Sequence, residues 1–95
     1  MDPKTVKAQI KQYIAENLLF AEAFPHADDA SFLGEGIVDS VGVMELVAFV
    51  NTQFGVTVEP QEITPENFDS VQRLGDFIAR KSAATAPVAL TRSVG

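Results

Sequence analysis

The chain has no cysteine. A disulfide framework and a thiolate metal site are both excluded, so any thiol chemistry has to come from an attached group. Lysine and arginine are absent from the whole interval 12–72, which carries eleven carboxylates: Glu16, Glu22, Asp28, Asp29, Glu35, Asp39, Glu45, Glu59, Glu62, Glu66 and Asp69. The seven basic residues stand outside it, Lys4, Lys7 and Lys11 before and Arg73, Arg80, Lys81 and Arg92 after, and the net charge is −6. A field of that sign repels a phosphate backbone and steers towards basic partners, which argues against nucleic acid. No run approaches the roughly 20 apolar residues of a membrane span, and the N-terminus lacks the pattern of a signal peptide, so a cytoplasmic protein is expected. At 95 residues the chain makes one small domain. Such a domain buries only about 60–65% of its unfolded surface, too little for an elaborate active-site cavity.

What is present reads as helices. Asp2 and Pro3 suit an N-cap and a first helical position, and Val6, Ile10, Tyr13, Ile14 and Leu18 mark one face of a helix over 3–19. Over 20–39 the period fails. Pro25, Gly34 and Gly36 punctuate this long connection, and Phe20, Phe24, Phe32, Leu33 and Ile37 are expected to pin it to the core. His26, the single histidine, has no Asp or Ser partner near it in sequence and is expected to be solvated. Asp39 and Ser40 then cap a second helix to Phe54, whose apolar positions Val43, Met44, Leu46, Val47, Val50 and Phe54 recur at three and four; Gly55 stops it. Residues 56–58 are β-branched but have no partner strand, so they are expected to run extended across the bundle. A short helical turn is expected within 62–68. Asp69 and Ser70 cap a last helix to about Lys81, with the stripe Val71, Leu74, Phe77 and Ile78, and Arg80 and Lys81 complement its dipole. The domain is therefore read as residues 1–82 and residues 83–95 as a disordered tail. The expected fold is all-α: a small four-helix bundle, three main helices and one short, with a long first loop.

Residues 36–46, Gly-Ile-Val-Asp-Ser-Val-Gly-Val-Met-Glu-Leu, resemble the Asp-Ser-Leu site of acyl and peptidyl carrier proteins. Asp39-Ser40-Val41 falls on the motif, and Met44, Glu45 and Leu46 fall where the family has apolar, acidic, apolar; the resemblance covers residues 3–82. It implies the acyl-carrier-protein fold and a 4′-phosphopantetheine arm, donated from coenzyme A by a phosphopantetheinyl transferase, on Ser40. Ser40 is preferred to Ser70, where the family commonly has a plain capping Ser or Thr. A helix start suits the phosphodiester, because unpaired N–H groups and the positive dipole end favour an anion. Asp39 is implied to help seat the transferase and its Mg²⁺. Val41, Met44, Glu45 and Ala48, an apolar patch around one carboxylate, are read with Asp39 as the partner-recognition surface.

The resemblance also suggests which kind of carrier. Fatty-acid carriers have several acidic residues along the second helix, whereas the matching outer positions here are Gly42, Asn51, Thr52 and Gln53, and the acidity lies in the loops. Gly-Ile-Val-Asp-Ser and Pro-Glu-Asn-Phe-Asp-Ser are similar to free-standing carriers of specialised pathways, aminoacyl and D-alanyl carriers among them. The expected function is a monomeric carrier in a specialised pathway, of natural-product or aminoacyl/D-alanyl type, that is loaded by an activating ligase, holds an acyl or aminoacyl group as a thioester and presents it to downstream transfer enzymes. It is not an enzyme: no catalytic or metal-binding residues are expected, and the glycine-flanked elbow of serine hydrolases is absent. The alternative is a non-covalent helical adaptor that binds a protein through its acidic surface with Ser40 unmodified.

Overall fold

Asp2 opens the first helix, α1 (Pro3–Ile14), as an N-cap whose carboxylate accepts the Lys4 N–H at 3.1 Å. The computed structural model describes residues 2–94, with side chains described over 2–82. The expected domain boundary and tail at 83–95 lie outside the described side chains, and the last helix runs to Val94 rather than ending near Lys81. Val6, Ile10 and Ile14 are buried, which is the face the period predicts. The helix continues as one wider π turn (Ala15–Leu19), then stops at Phe20, which takes the left-handed conformation (φ 54°). There Ala21 N–H donates to the Ala15 carbonyl at 2.7 Å. α2 (Ser40–Phe54) ends at Gly55, whose φ of 66° is the left-handed stop a glycine adopts without strain. Residues 56–59 form no regular element, with Val56 buried and Glu59 extended (φ −80°, ψ 150°); a 3₁₀ turn (Pro60–Glu62) and the short α3 (Pro65–Phe68) lead into α4 (Val71–Val94). Among the described residues there are four α-helices and no strand. Among the described residues no helix is long and apolar enough to cross a membrane.

One core joins the three long helices to the connection between them. α1 supplies Val6, Ile10 and Ile14, α2 Leu46 and Val50, and α4 Val71, Leu74, Phe77 and Ile78. Phe32, Ile37 and Val38 enter from the 20–39 loop, and Phe68 enters from α3. The expectation for this loop holds only in part. Phe32 and Ile37 are buried and Phe24 is half-buried, but Phe20 is 85% exposed and Leu33 is also exposed. His26 is half-buried rather than free in solvent, its ring edge-to-face with Phe24 at 5.4 Å.

The loop is sewn down by polar contacts from both flanking helices. Lys11 on α1 pairs with Asp28 at 2.5 Å, and the Gln72 N–H of α4 donates to the Asp28 carbonyl at 2.8 Å. Asp69 was expected to share the capping of α4, and it does something else. Ser70 alone is the cap, buried, its Oγ accepting the Arg73 N–H at 3.0 Å. The Asp69 carboxylate turns to the loop, accepting from Ser31 Oγ at 2.5 Å and from the Leu33 N–H at 3.0 Å.

Arg80 and Lys81 likewise serve tertiary contacts rather than a helix dipole. Arg80 donates to Asn67 Oδ1 at 2.9 Å, and Lys81 reaches Glu62 at 2.9 Å. The backbone N–H of Glu59, and then Lys81, hold the Glu62 carboxyl below its ordinary 4.5. A lowered folded pKa gives stability that is complete above the unfolded value and lost as pH falls through the folded one. Glu62→Gln should therefore flatten the acid limb of a plot of urea midpoint against pH. The change should be small, since solvent screens the pair. An unaltered slope would mean the contacts contribute nothing.

Candidate functional site

Ser40 is the first residue of α2 and is exposed. The local sequence dictates its setting. Asp39 has extended backbone (φ −94°, ψ −176°) and its Oδ1 accepts the Gly42 N–H at 2.8 Å, while its carbonyl accepts the Val43 N–H at 2.9 Å. Among the described residues, the N–H groups of Ser40 and Val41 and the Ser40 hydroxyl have no hydrogen-bond partner within the chain. An uncommitted hydroxyl thus stands beside two uncommitted donors at the positive end of a 15-residue helix.

The approach to Ser40 is fixed from the other side by the loop. The Phe32 carbonyl accepts the Ile37 N–H at 2.7 Å and the Val38 N–H at 3.2 Å, closing a turn in which Gly36 takes φ 70°. Val38 then packs against the first turn of α2 at Gly42. Sequence reasoning put Gly42 among the outer positions, but it is buried. A Cβ built there would lie 2.6 Å from Val38 Cγ1. The helical period could not reveal this, because the obstructing group comes from the loop and not from α2. Gly42→Ala should cost about 1–3 kcal/mol by overpacking, despite the roughly 1 kcal/mol that alanine gains as a helix former. A urea midpoint at or above wild type would show that Val38 can move aside.

Two depressions flank this first turn. One, of about 330 Å³, is walled by Leu33, Val43, Met44, Ile63, Pro65 and Phe68, with Ser40 and Asp69 completing it. Among the described residues of that lining, Asp69 is the one that is charged. The other, about 270 Å³, is more polar and lies towards α1: Asn17 and Leu18 face Asp39, Val41 and Glu45. Burial, and after it the charge of Glu45, raises the pKa of the Tyr13 hydroxyl. The residues expected to form one partner surface are all exposed, Val41 at 69% and Met44 at 55%. They divide between the two depressions, Met44 facing the α3 side and Val41 and Glu45 the α1 side, with Ala48 a turn further on. Of the loop carboxylates, Asp28 and Glu62 are engaged by lysines, while Asp29, Glu35, Glu59 and Glu66 are exposed.

The site was only partly legible in the sequence. Leu33, Ile63, Pro65, Phe68 and Asp69 were not assigned to it. Only the second Asp-Ser pair gave any sign of Asp69. Among the described residues, no group of three or more His, Cys, Asp and Glu side chains is placed to hold a metal ion.

Comparison with known proteins bears on the same stretch. The family model for the phosphopantetheine attachment site matches residues 8–78. A D-alanyl carrier protein of Abiotrophia defectiva is 30% identical over 56 residues, which are 59% of this chain and 71% of that protein.

Proposed function

This chain belongs to the phosphopantetheine-attachment family of carrier proteins, and on that premise we propose that Ser40 bears the arm. The observation that carries this reading is the position of Ser40: exposed, first in α2, and next to unpaired N–H donors. Ser70, the competing serine, is buried and its oxygen is committed to the Arg73 N–H.

The residues fit a phosphodiester-linked arm. Its anion would sit at the α2 N-terminus, where the Ser40 and Val41 N–H groups and the helix dipole favour negative charge. The 330 Å³ groove beside it offers apolar walls to the uncharged part of the arm. When bound, the arm supplies the thiol that this cysteine-free chain lacks, and the thiol holds an acyl or aminoacyl group as a thioester.

The chain's own residues place the hydroxyl and do not activate it. Ser40 Oγ has no hydrogen-bonded base among the described residues. The transferase must therefore take its proton as the new O–P bond forms and the pyrophosphate bond of coenzyme A breaks. Asp39, capped onto Gly42, is set beside that event.

The cargo we infer is of the aminoacyl or D-alanyl type, serving a dedicated activating ligase. The similarity to a D-alanyl carrier protein supports this, as does the composition of α2, which has Glu45 as its single carboxylate. Gly42 is buried, while Asn51, Thr52 and Gln53 are exposed and carry no charge. Partner enzymes would dock on Asp39, Val41, Met44, Glu45 and Ala48. Incubating the unmodified chain with coenzyme A and a broad-specificity transferase should add the mass of one arm. No gain in mass would favour a non-covalent adaptor instead.

A further inference from the structure

The two Asp-Ser pairs are physically connected. Asp69, 29 residues after Ser40, accepts from Ser31 Oγ and the Leu33 N–H with its carboxylate and from the Phe32 N–H with its carbonyl, at 2.5, 3.0 and 2.8 Å. Ser31 Oγ in turn accepts the Gly34 N–H at 2.9 Å. The Phe32 carbonyl holds the N–H groups of Ile37 and Val38, and the next residue, Asp39, caps α2 at Ser40. A path of hydrogen bonds and intervening backbone therefore runs from the start of α4 to the start of α2. Asp69 also lines the same groove as Ser40 and Leu33.

We propose that Asp69 is a positioning residue for the modification of Ser40: it fixes the course of the loop, and so the angle at which Ser40 is offered to the transferase. The inference rests on Ser40 being the attachment residue. Other contacts hold the loop less directly at this point. Lys11–Asp28 and Gln72–Asp28 act earlier in the loop, and Phe32 anchors it through its buried ring and its N–H on the Asp69 carbonyl. The Glu35 and Gly36 N–H groups close the 33–36 turn on itself, so the Asp69 carboxylate is the side chain that ties that turn to the start of α4. An anionic acceptor that engages two donors of one short turn is what makes that turn single-valued, because charge-assisted bonds are stronger and more directional than neutral ones. Without it the turn samples several orientations, and only a fraction of molecules presents Ser40 productively. A reduced competent fraction raises the apparent dissociation constant in proportion and leaves the bound complex unchanged.

The test is steady-state transfer of the arm from coenzyme A to Asp69→Ala, Asp69→Asn, Ser31→Ala and the Asp69→Ala/Ser31→Ala pair, with Ser40→Ala alongside. Asp69→Ala should raise KM for the carrier about tenfold, the worth of a hydrogen bond to a charged group, while kcat changes by less than about twofold. Asp69→Asn keeps an acceptor for the Leu33 N–H and should recover part of the loss. The double variant should be no worse than Asp69→Ala, since the two residues act as one unit. Hydrogen exchange at Ile37 and Val38 should accelerate in step with KM. If Asp69→Ala is poorly folded, Ser31→Ala and Asp69→Asn carry the comparison. Wild-type KM in these variants, with faster exchange or a lower unfolding midpoint, would reduce Asp69 to a structural tether and overturn the proposal. Arm transfer to Ser40→Ala would instead refute the attachment reading, which keeps the two failures apart.

Discussion

Ser40→Ala is expected to take up no arm at all when treated with coenzyme A and a transferase, while Ser70→Ala takes it up fully. The asymmetry follows from what each hydroxyl is doing. Both serines begin helices after an aspartate, so sequence alone makes each a competent cap. In the folded chain Asp39 does the capping of α2, its carboxylate on the Gly42 N–H, and this frees Ser40 for solvent. At α4 the roles are exchanged: Ser70 is the cap, 2% exposed, and Asp69 reaches back to the loop. A transferase can reach the first hydroxyl and not the second. Ser70→Ala should instead lose roughly 0.5–2 kcal/mol of stability, as for other lost N-caps, and show it as a lower urea midpoint. Uptake by Ser40→Ala, or failure of folded Ser70→Ala to be modified, would reverse the assignment.

Phe32→Ala should be the most destabilising single change in the loop, costing about 3–5 kcal/mol. Phe32 is fully buried in the common core with residues of all three long helices, so its removal leaves a ring-sized void that close-packed neighbours fill only partly. Total stability for a domain of this size is about 5–15 kcal/mol, so the variant would keep a small margin or none. The loss reaches the site as well, because the Phe32 backbone joins Asp69 to Ile37 and Val38. Phe20→Ala is the control from the same loop. Its ring is in solvent, and the change should stay within about 0.5 kcal/mol. Equal effects of the two substitutions in urea denaturation would show that the loop is not anchored through Phe32.

These two phenylalanines also mark where the sequence stops being informative. Val6, Ile10 and Ile14, Leu46 and Val50, and Val71, Leu74, Phe77 and Ile78 lie where helical spacing puts them, because each helix repeats its buried face every three or four residues. The 20–39 connection has no period. Composition marks its aromatics as core candidates but cannot distinguish Phe32, which is buried, from Phe20, which terminates a π turn and projects outward. Gly42 was misplaced for a related reason. Its position on the helix is outward, but Val38 arrives from the loop and covers it. The reassignments of Asp69, Arg80 and Lys81 depend on partners 38, 13 and 19 residues away, which no local pattern contains. The start of α2 at Ser40 was legible, since an Asp-Ser pair opening an amphipathic helix is a local signal, and the family match over residues 8–78 spans it.

The central claim is that this chain is a carrier whose arm is joined to Ser40. Fragmentation mass spectrometry of the protein isolated from its host addresses it most directly. A phosphopantetheine arm is expected on the peptide that contains residues 36–44, with fragment ions placing it on Ser40. An acyl or aminoacyl group is also expected on a fraction of those arms. An arm on Ser70, or a Ser40 peptide that is unmodified throughout, would contradict the claim.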